Sequence, residues 1–284
     1  MIKQLTIFGV GLIGGSLALA LKKAGYCQQV VGCSRSADHL QRAVDLGVID
    51  RYTLNPAEAV KGADMILVAV PMGAMQAVFA SIADHLEEYA VMTDAGSAKG
   101  SVIAAAKAAF GEIPAQFVPG HPIAGREKSS VEAALDDLYT DHKVILTPLE
   151  NTNPDAIQRV TKMWQTAGAE VENLEVDQHD LVLAATSHLP HILAFSFVNT
   201  LAESEHCDKI FHYVAGGFKD FSRIASSDPV MWRDICLENK GAILNALDNY
   251  QQNLSDLAEL IKNEESDALL NEFESAKTER DKHI

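Results

Sequence analysis

Cysteine is scarce and scattered. Cys27, Cys33, Cys207 and Cys236 include no C-x-x-C pair, which argues against both a disulfide framework and a zinc knuckle. Such usage suits a reduced, cytoplasmic setting. Positive charge is also short: 23 Lys and Arg stand against 39 Asp and Glu, and a formal charge of −16 argues against a nucleic-acid partner. Any anionic ligand would then depend on helix ends and a few local cations, for which Arg35, Lys99, Arg126, Lys128, Lys219 and Arg223 are the candidates. Long apolar runs are missing too. Met65 to Met75 is the longest, far below a membrane span and interrupted by Pro71 and Gly73. The first strand pattern begins almost at Met1, which leaves no room for a signal peptide. A soluble chain without a membrane partner is the expectation. The 284 residues, 48% of them hydrophobic, suffice for one large or two ordinary domains.

What is present is concentrated first in residues 5 to 16. The apolar run Leu5 to Phe8 reads as a buried strand, and Leu12 to Lys23 has the apolar pattern of a helix. Between them stands G-x-G-x-x-G as Gly9, Gly11 and Gly14. Gly9 permits the tight turn, Gly11 lets backbone approach a pyrophosphate, and Gly14 lets helix and strand pack closely. The helix start, through Leu12 and Ile13, then offers free N–H groups to the anion. A second strand at Gln29 to Cys33 completes the unit, so a dinucleotide site is expected. An NAD site usually carries a carboxylate at this second strand end, to bind ribose hydroxyls. Here the chain reads Ser34-Arg35-Ser36, with no acid before Asp38. An arginine fork flanked by two hydroxyls suits a 2′-phosphate, favouring NADP over NAD; the alternative is a solvated arginine in a loop.

Strand and helix patterns alternate through the first half. Strands are expected at Met65 to Val70, Ala90 to Thr93, Gln116 to Pro119 and Lys143 to Leu146, with Glu170 to Leu174 closing the sheet. Such alternation makes a mostly parallel, doubly wound sheet, so the fold class is α/β of Rossmann type. From Val176 no strand pattern remains, and amphipathic stretches such as Asp177 to Ser204 and Pro229 to Asn263 predict an all-helical domain. The expected division is residues 1–174 for the dinucleotide-binding domain and 175–284 for a helical dimerisation and substrate domain.

Ligands of open α/β sheets bind beyond the carboxyl ends of the strands, and three motifs fall there. Val70-Pro71-Met72-Gly73 is expected to wall the cofactor cleft. In Thr93-Asp94-Ala95-Gly96-Ser97-Ala98-Lys99-Gly100, small residues allow close approach, and Ser97 and Lys99 supply a hydroxyl and a cation. Ser97 could equally be a plain helix cap. In Gly120-His121-Pro122-Ile123-Ala124-Gly125, His121 leaves a strand end with its backbone biased to extended geometry by Pro122. A histidine placed there is suited to proton transfer near neutral pH. In the helical half, Pro190 within Thr186-Ser187-His188-Leu189-Pro190-His191 should kink its helix. Ser187 and His191, four apart, share a face suited to a substrate wall, whereas His188 projects elsewhere. No third ligand at suitable spacing supports a metal site on these histidines. Arg223, after Gly216-Gly217, could be a surface ion pair or a carboxylate clamp, and Asp228 with Pro229 reads as a helix start.

Together, GVGLIGGS, TDAGSAKG, GHPIAGREKS, SHLPH and GGFKDFSRIASSDPVMWRDI, in this order, resemble the prephenate/arogenate dehydrogenase family of tyrosine biosynthesis across essentially the whole chain. The resemblance implies oxidative decarboxylation of prephenate or arogenate to 4-hydroxyphenylpyruvate or tyrosine, with no metal. It implies that His121 is the catalytic histidine acting on the ring hydroxyl, oriented by Ser97. It further implies substrate-side roles for Ser187, His191, Gly216 and Arg223, and a gating role for the acidic Glu127. The helical domain would build a homodimer, with Asp220 and Trp232 contributing across the interface. Two departures stand out: Ser34-Arg35-Ser36 replaces the Asp common in NAD-using members, and Arg126 replaces a small polar residue. With the chain ending at Ile284 there is no space for a regulatory domain, so inhibition by tyrosine would act at the active site. Another small dehydrogenase of β-hydroxyacid or pyrroline-carboxylate type would lack the GHPIAG and SHLPH pair. A non-catalytic NADP-sensing module would have no use for His121, Ser97 and Arg223 together.

Overall fold

Residues 1–126 and 130–284 are described by the structure, a computed structural model. Glu127 and Lys128, named above, lie outside the described residues.

Six short, apolar segments make the main sheet: β1 (Ile2–Phe8), β2 (Cys27–Cys33), β3 (Arg51–Thr53), β4 (Met65–Val68), β5 (Val91–Asp94) and β6 (Phe117–Val118). They are all parallel, in the order β3-β2-β1-β4-β5-β6. β1 pairs with β2 through Leu5 and Val30 and with β4 through Leu5 and Met65. The order therefore reverses between β1 and β4, and a crevice opens at their carboxyl ends. Both faces are covered, which is why these strands read as continuous apolar runs. Leu17, Leu21 and Trp164 pack on one face and Phe79, Val102 and Phe117 on the other.

The expected single sheet is corrected here. Gly120 to Ile123 does not end a parallel strand but forms its own, β7 (Gly120–Ile123), which turns away to pair antiparallel with β8 (Lys143–Leu146). β9 (Glu170–Asn173) then joins β8 in parallel, so residues 170 to 173 complete a separate three-stranded sheet rather than closing the first. Alternation of apolar segments predicts strands but not which sheet each one joins.

The covering helices are α1 (Leu12–Lys23), α2 (Ala37–Asp45), α3 (Pro56–Val60), α4 (Met75–Ile82), α5 (Lys99–Phe110) and α6 (Pro154–Thr166). Asn55 and Asn153 cap α3 and α6, each with proline in the first turn. The following helices are α7 (Val176–Leu183), α8 (Leu189–Ala202), α9 (Cys207–His212), α10 (Gly216–Ser222) and α11 (Pro229–Glu238). Asp228 caps α11, its Oδ1 accepting from Val230 and Met231 N–H at 2.8 and 3.0 Å. By packing, residues 1–240 form one compact unit and 241–284 another. The second unit consists of the helical stretch to Lys262 of α12 (Lys240–Lys262) and α13 (Ser266–His283).

Pro190 stands in the first turn of α8, just after an irregularity in the helix. A π turn, Ala184–His188, joins α7 to α8, and helical backbone continues over 27 residues from Val176 to Ala202. That segment is long and apolar enough, by length and composition alone, to cross a membrane, although Thr, Ser, His and Pro residues interrupt its apolar run. Its inward side carries the buried His179, Leu183, Ala184 and His188, and its outward side exposes Leu181, Val182 and Phe197.

Candidate active site

The glycine motif sits at the crevice between β1 and β4. Gly9 adopts φ +89°, where side chains are strained, and a Cβ there would strike the Ala69 carbonyl. A Cβ on Gly14 would collide with the Gly9 carbonyl and lie 2.7 Å from Ile7 Cγ2, so this glycine sets the close approach of α1 to β1. Gly11 is the N-cap of α1, with no side-chain cap and no acidic residue in the first turn. These uncapped N–H groups fit the pyrophosphate of a dinucleotide.

From this turn a cleft of about 840 Å³ runs to α8 and α11. Gly9, Gly11, Leu12, Ile13, Ser34, Val70 and Pro71 line it, followed by Ser97 and His121, then Ser187, His191 and Arg223. Residues far apart in the sequence are thus brought together. Of the candidate cations, Arg126 and Arg223 line the cleft. Arg35 and Ser36 are exposed beyond its rim, and Ser36 Oγ caps α2 through His39 N–H at 3.3 Å. Gly216, at the exposed start of α10, does not line the cleft.

Lys99 is not a cleft cation. It is fully buried, with Nζ 2.5 Å from Asp94 Oδ2 and 2.5 Å from the Gly120 carbonyl. Burial pushes the ammonium pKa down, and the neighbouring Asp94 carboxylate opposes that. Asp94 also accepts from Gly96 N–H at 2.7 Å and from Gly120 N–H at 3.0 Å. Both backbone groups of Gly120 are therefore held by one ion pair, which fixes where β7 leaves the main sheet. Ser97 does not cap α5 either. Ala98 is the N-cap residue, and the first N–H groups, of Lys99 and Gly100, donate to Asp180 on α7 at 2.7 and 2.9 Å.

His121 is 9% exposed on β7, and its ring meets that of His179 with Nδ1 and Nε2 2.9 Å apart. His179 Nδ1 in turn lies 2.8 Å from Asp180 Oδ1. Burial first, then the nearby His179, Lys99 and His188, hold the His121 pKa well below the ordinary 6.5. Burial alone would raise the Asp180 carboxyl, but hydrogen bonds from His179, Gly100 and Lys99 outweigh it and hold it low. His188 faces the cleft instead of pointing away, hydrogen-bonds Asn239 at 3.2 Å, and is pushed by burial down to about 4. Trp232 belongs to the same wall within its own chain: it stacks on His191 with ring centroids 3.8 Å apart. Its buried Nε1 has no hydrogen-bond partner among the described residues. No cluster able to hold a metal occurs among the described residues.

Sequence reasoning missed His179, Asp180, His39 and the inward face of Trp232. A His-Asp pair within an apolar helix was the available signal for the first two. His39 and Trp232, on α2 and α11, reach the cleft through tertiary packing that local pattern does not encode.

Against known families, residues 17–173 match the prephenate dehydrogenase nucleotide-binding domain and residues 175–275 its dimerization domain. A cyclohexadienyl dehydrogenase of Zymomonas mobilis is 37% identical over 98% of this chain and 95% of its own. A prephenate dehydrogenase of Bacillus subtilis is 35% identical over 96% of this chain and 74% of its own. The crystal structure of Aquifex aeolicus prephenate dehydrogenase, in complex with hydroxyphenyl propionate and NAD+, superposes with a TM-score of 0.93 at 38% identity, covering 100% of this chain and 99% of that one. A nucleotide-binding turn and a buried histidine on one cleft, with matches spanning both halves, place this chain in the prephenate dehydrogenase family of nicotinamide-dependent oxidoreductases of tyrosine biosynthesis.

Proposed function

We propose that this chain oxidatively decarboxylates arogenate, prephenate or both, with NADP as the preferred acceptor and His121 as the base. The observation that carries the reading is the buried His121, its Nδ1 occupied by His179, on the same cleft as the uncapped start of α1. When bound, the nicotinamide supplies the acceptor for the hydride leaving C4 of the ring. His121 Nε2 takes the proton of the C4 hydroxyl as that C–H bond breaks, and returns it to oxygen once carbon dioxide has left. Aromatisation provides the drive, so the protein's work is positioning and proton holding. Ser97 orients the histidine and the nicotinamide, Ser187 and His191 wall the ring, and Arg223 holds a carboxylate. Gly216, outside the cleft of a single copy, keeps its substrate-side role only as a family expectation, and so does Glu127. We keep the functional division near residue 174 as part of this reading, supported by the last strand ending at Asn173.

NADP is favoured because β2 ends without a carboxylate and Arg35 is exposed there, with no acidic partner among the described residues. A second reading, NAD as the acceptor, is supported by the NAD+ in the Aquifex aeolicus complex. Following reduced-cofactor absorbance with prephenate or arogenate, each with NADP or NAD, tests both choices. No turnover in any pairing would sink the enzymatic reading. Arg35→Ala is expected to raise the NADP KM about tenfold or more and barely change that for NAD. Equal effects on both cofactors would remove Arg35 from the phosphate site.

The outward face of α7 and α8, with Leu181, Val182 and Phe197 at 52%, 41% and 40% exposure, is assigned to a second copy of the chain rather than to lipid. The polar wall of His179, Ser187 and His191 on the same helical segment argues against a membrane span. Sedimentation velocity should give twice the chain mass of 30.7 kDa. A monomer at micromolar concentration would count against the dimer.

A further inference from the structure

We infer that His179 and Asp180 are positioning residues: they fix the His121 ring in the one tautomer whose cleft-facing nitrogen is basic. The inference rests on the reading of His121 as the base and adds the device that keeps it in base form.

Hydrogen-bond bookkeeping along the chain of rings leads to it. Asp180 is ionised and offers only acceptors, and it already receives the N–H groups of Lys99 and Gly100. His179 Nδ1, 2.8 Å from Asp180 Oδ1, must therefore carry a hydrogen. A neutral imidazole has one donor and one acceptor, so His179 Nε2 is left as an acceptor. It faces His121 Nδ1 at 2.9 Å, and that nitrogen must then be the donor. His121 Nε2, the nitrogen left to the cleft, is consequently unprotonated.

The opposite arrangement is the costlier one for the same contacts. Were His121 Nδ1 the acceptor, both nitrogens of His179 would need hydrogens, placing a cation in a buried cluster with Lys99 and His188 close by. The backbone donors from α5 hold Asp180 in place, so the chain of contacts is anchored on a helix end rather than on a mobile side chain. During turnover, the hydroxyl O–H bond breaks as the His121 Nε2–H bond forms. The resulting imidazolium keeps its Nδ1–H directed at His179, which backs it with the Asp180 charge. The proton goes back to the substrate oxygen, and no net proton remains on the protein.

Two kinds of measurement separate this role from a merely structural one. Nitrogen-15 spectra of the wild-type histidine rings at pH 7.5 should show His121 protonated at Nδ1 and bare at Nε2; the reverse assignment overturns the proposal without any variant. Steady-state kinetics with prephenate and arogenate should then compare His179→Phe, which has no acceptor, with His179→Gln, whose Oε1 can accept the Nδ1–H. His179→Phe is expected to lose about 10²-fold in kcat, with KM and cofactor affinity within about threefold of wild type. His179→Gln should recover most of that loss. If His179→Phe keeps near-normal kcat while His121→Asn is inactive, the positioning role is wrong and the base stands. If His121→Asn also turns over normally, the base reading itself falls, and the inference with it.

Discussion

Replacing His121 by asparagine is expected to lower turnover by about 10²–10⁴-fold, the usual contribution of a positioned general base. Cofactor affinity should hardly change, because the residues proposed to hold the nucleotide lie at the start of α1 and at Val70 and Pro71 just past β4, not on β7. The backbone of residue 121 pairs with Ile145 on β8 whatever its side chain, so the strand survives the substitution. Reduced-cofactor absorbance and a cofactor titration of the same sample would check both halves; normal turnover would remove His121 from the chemistry. The wild-type pH profile follows from the same surroundings. Burial, with His179 and His188 from the α7–α8 segment and Lys99 from α5, holds the ring pKa below 6.5. The base form therefore persists through neutral pH, and activity is lost only as pH falls through that depressed value. An acid limb of kcat/KM above pH 6.5 would contradict this electrostatic account.

The largest stability effect is expected at Asp94. Removing one partner of a buried ion pair typically costs about 3–5 kcal/mol, because the other charge stays buried without compensation. Asp94→Ala would leave the Lys99 ammonium with only the Gly120 carbonyl, and would orphan the N–H groups of Gly96 and Gly120 as well. Lys99→Met should be milder, since the Asp94 carboxylate keeps both of those donors. Urea denaturation followed by tryptophan fluorescence would rank the two, with Trp164 reporting from the core. Equal, small losses would mean that water or relaxation compensates the pair. Whatever folds of Asp94→Ala should also turn over more slowly, because the pair sets the exit of β7 and hence the position of His121.

Periodicity and turn chemistry were enough to find the nucleotide half. Gly9, Gly11 and Gly14 lie between an apolar strand and an apolar helix, and each of those signals is local. The same holds for Asp228 and Pro229 at the start of α11. Motif order across the chain was enough to recognise the family, since it records which residues occur and not where they lie.

Three things were decided only in three dimensions. β7 left the main sheet because its neighbours are chosen by long-range pairing, here with β8 some twenty residues later, and local pattern carries no term for that. Lys99 looked like a ligand cation because charge in a sequence is assumed to face water; burial against Asp94 gave it a structural use instead. His179 and Asp180 gained meaning only when α7 was set against the start of α5, which placed a carboxylate, two rings and a helix end within hydrogen-bonding distance. The sequence alone determined which groups are available and which local backbone holds each of them. Tertiary packing decided which of those groups meet, because hydrogen bonds and ion pairs act over about 3 Å while the partners in this cluster stand up to 81 residues apart.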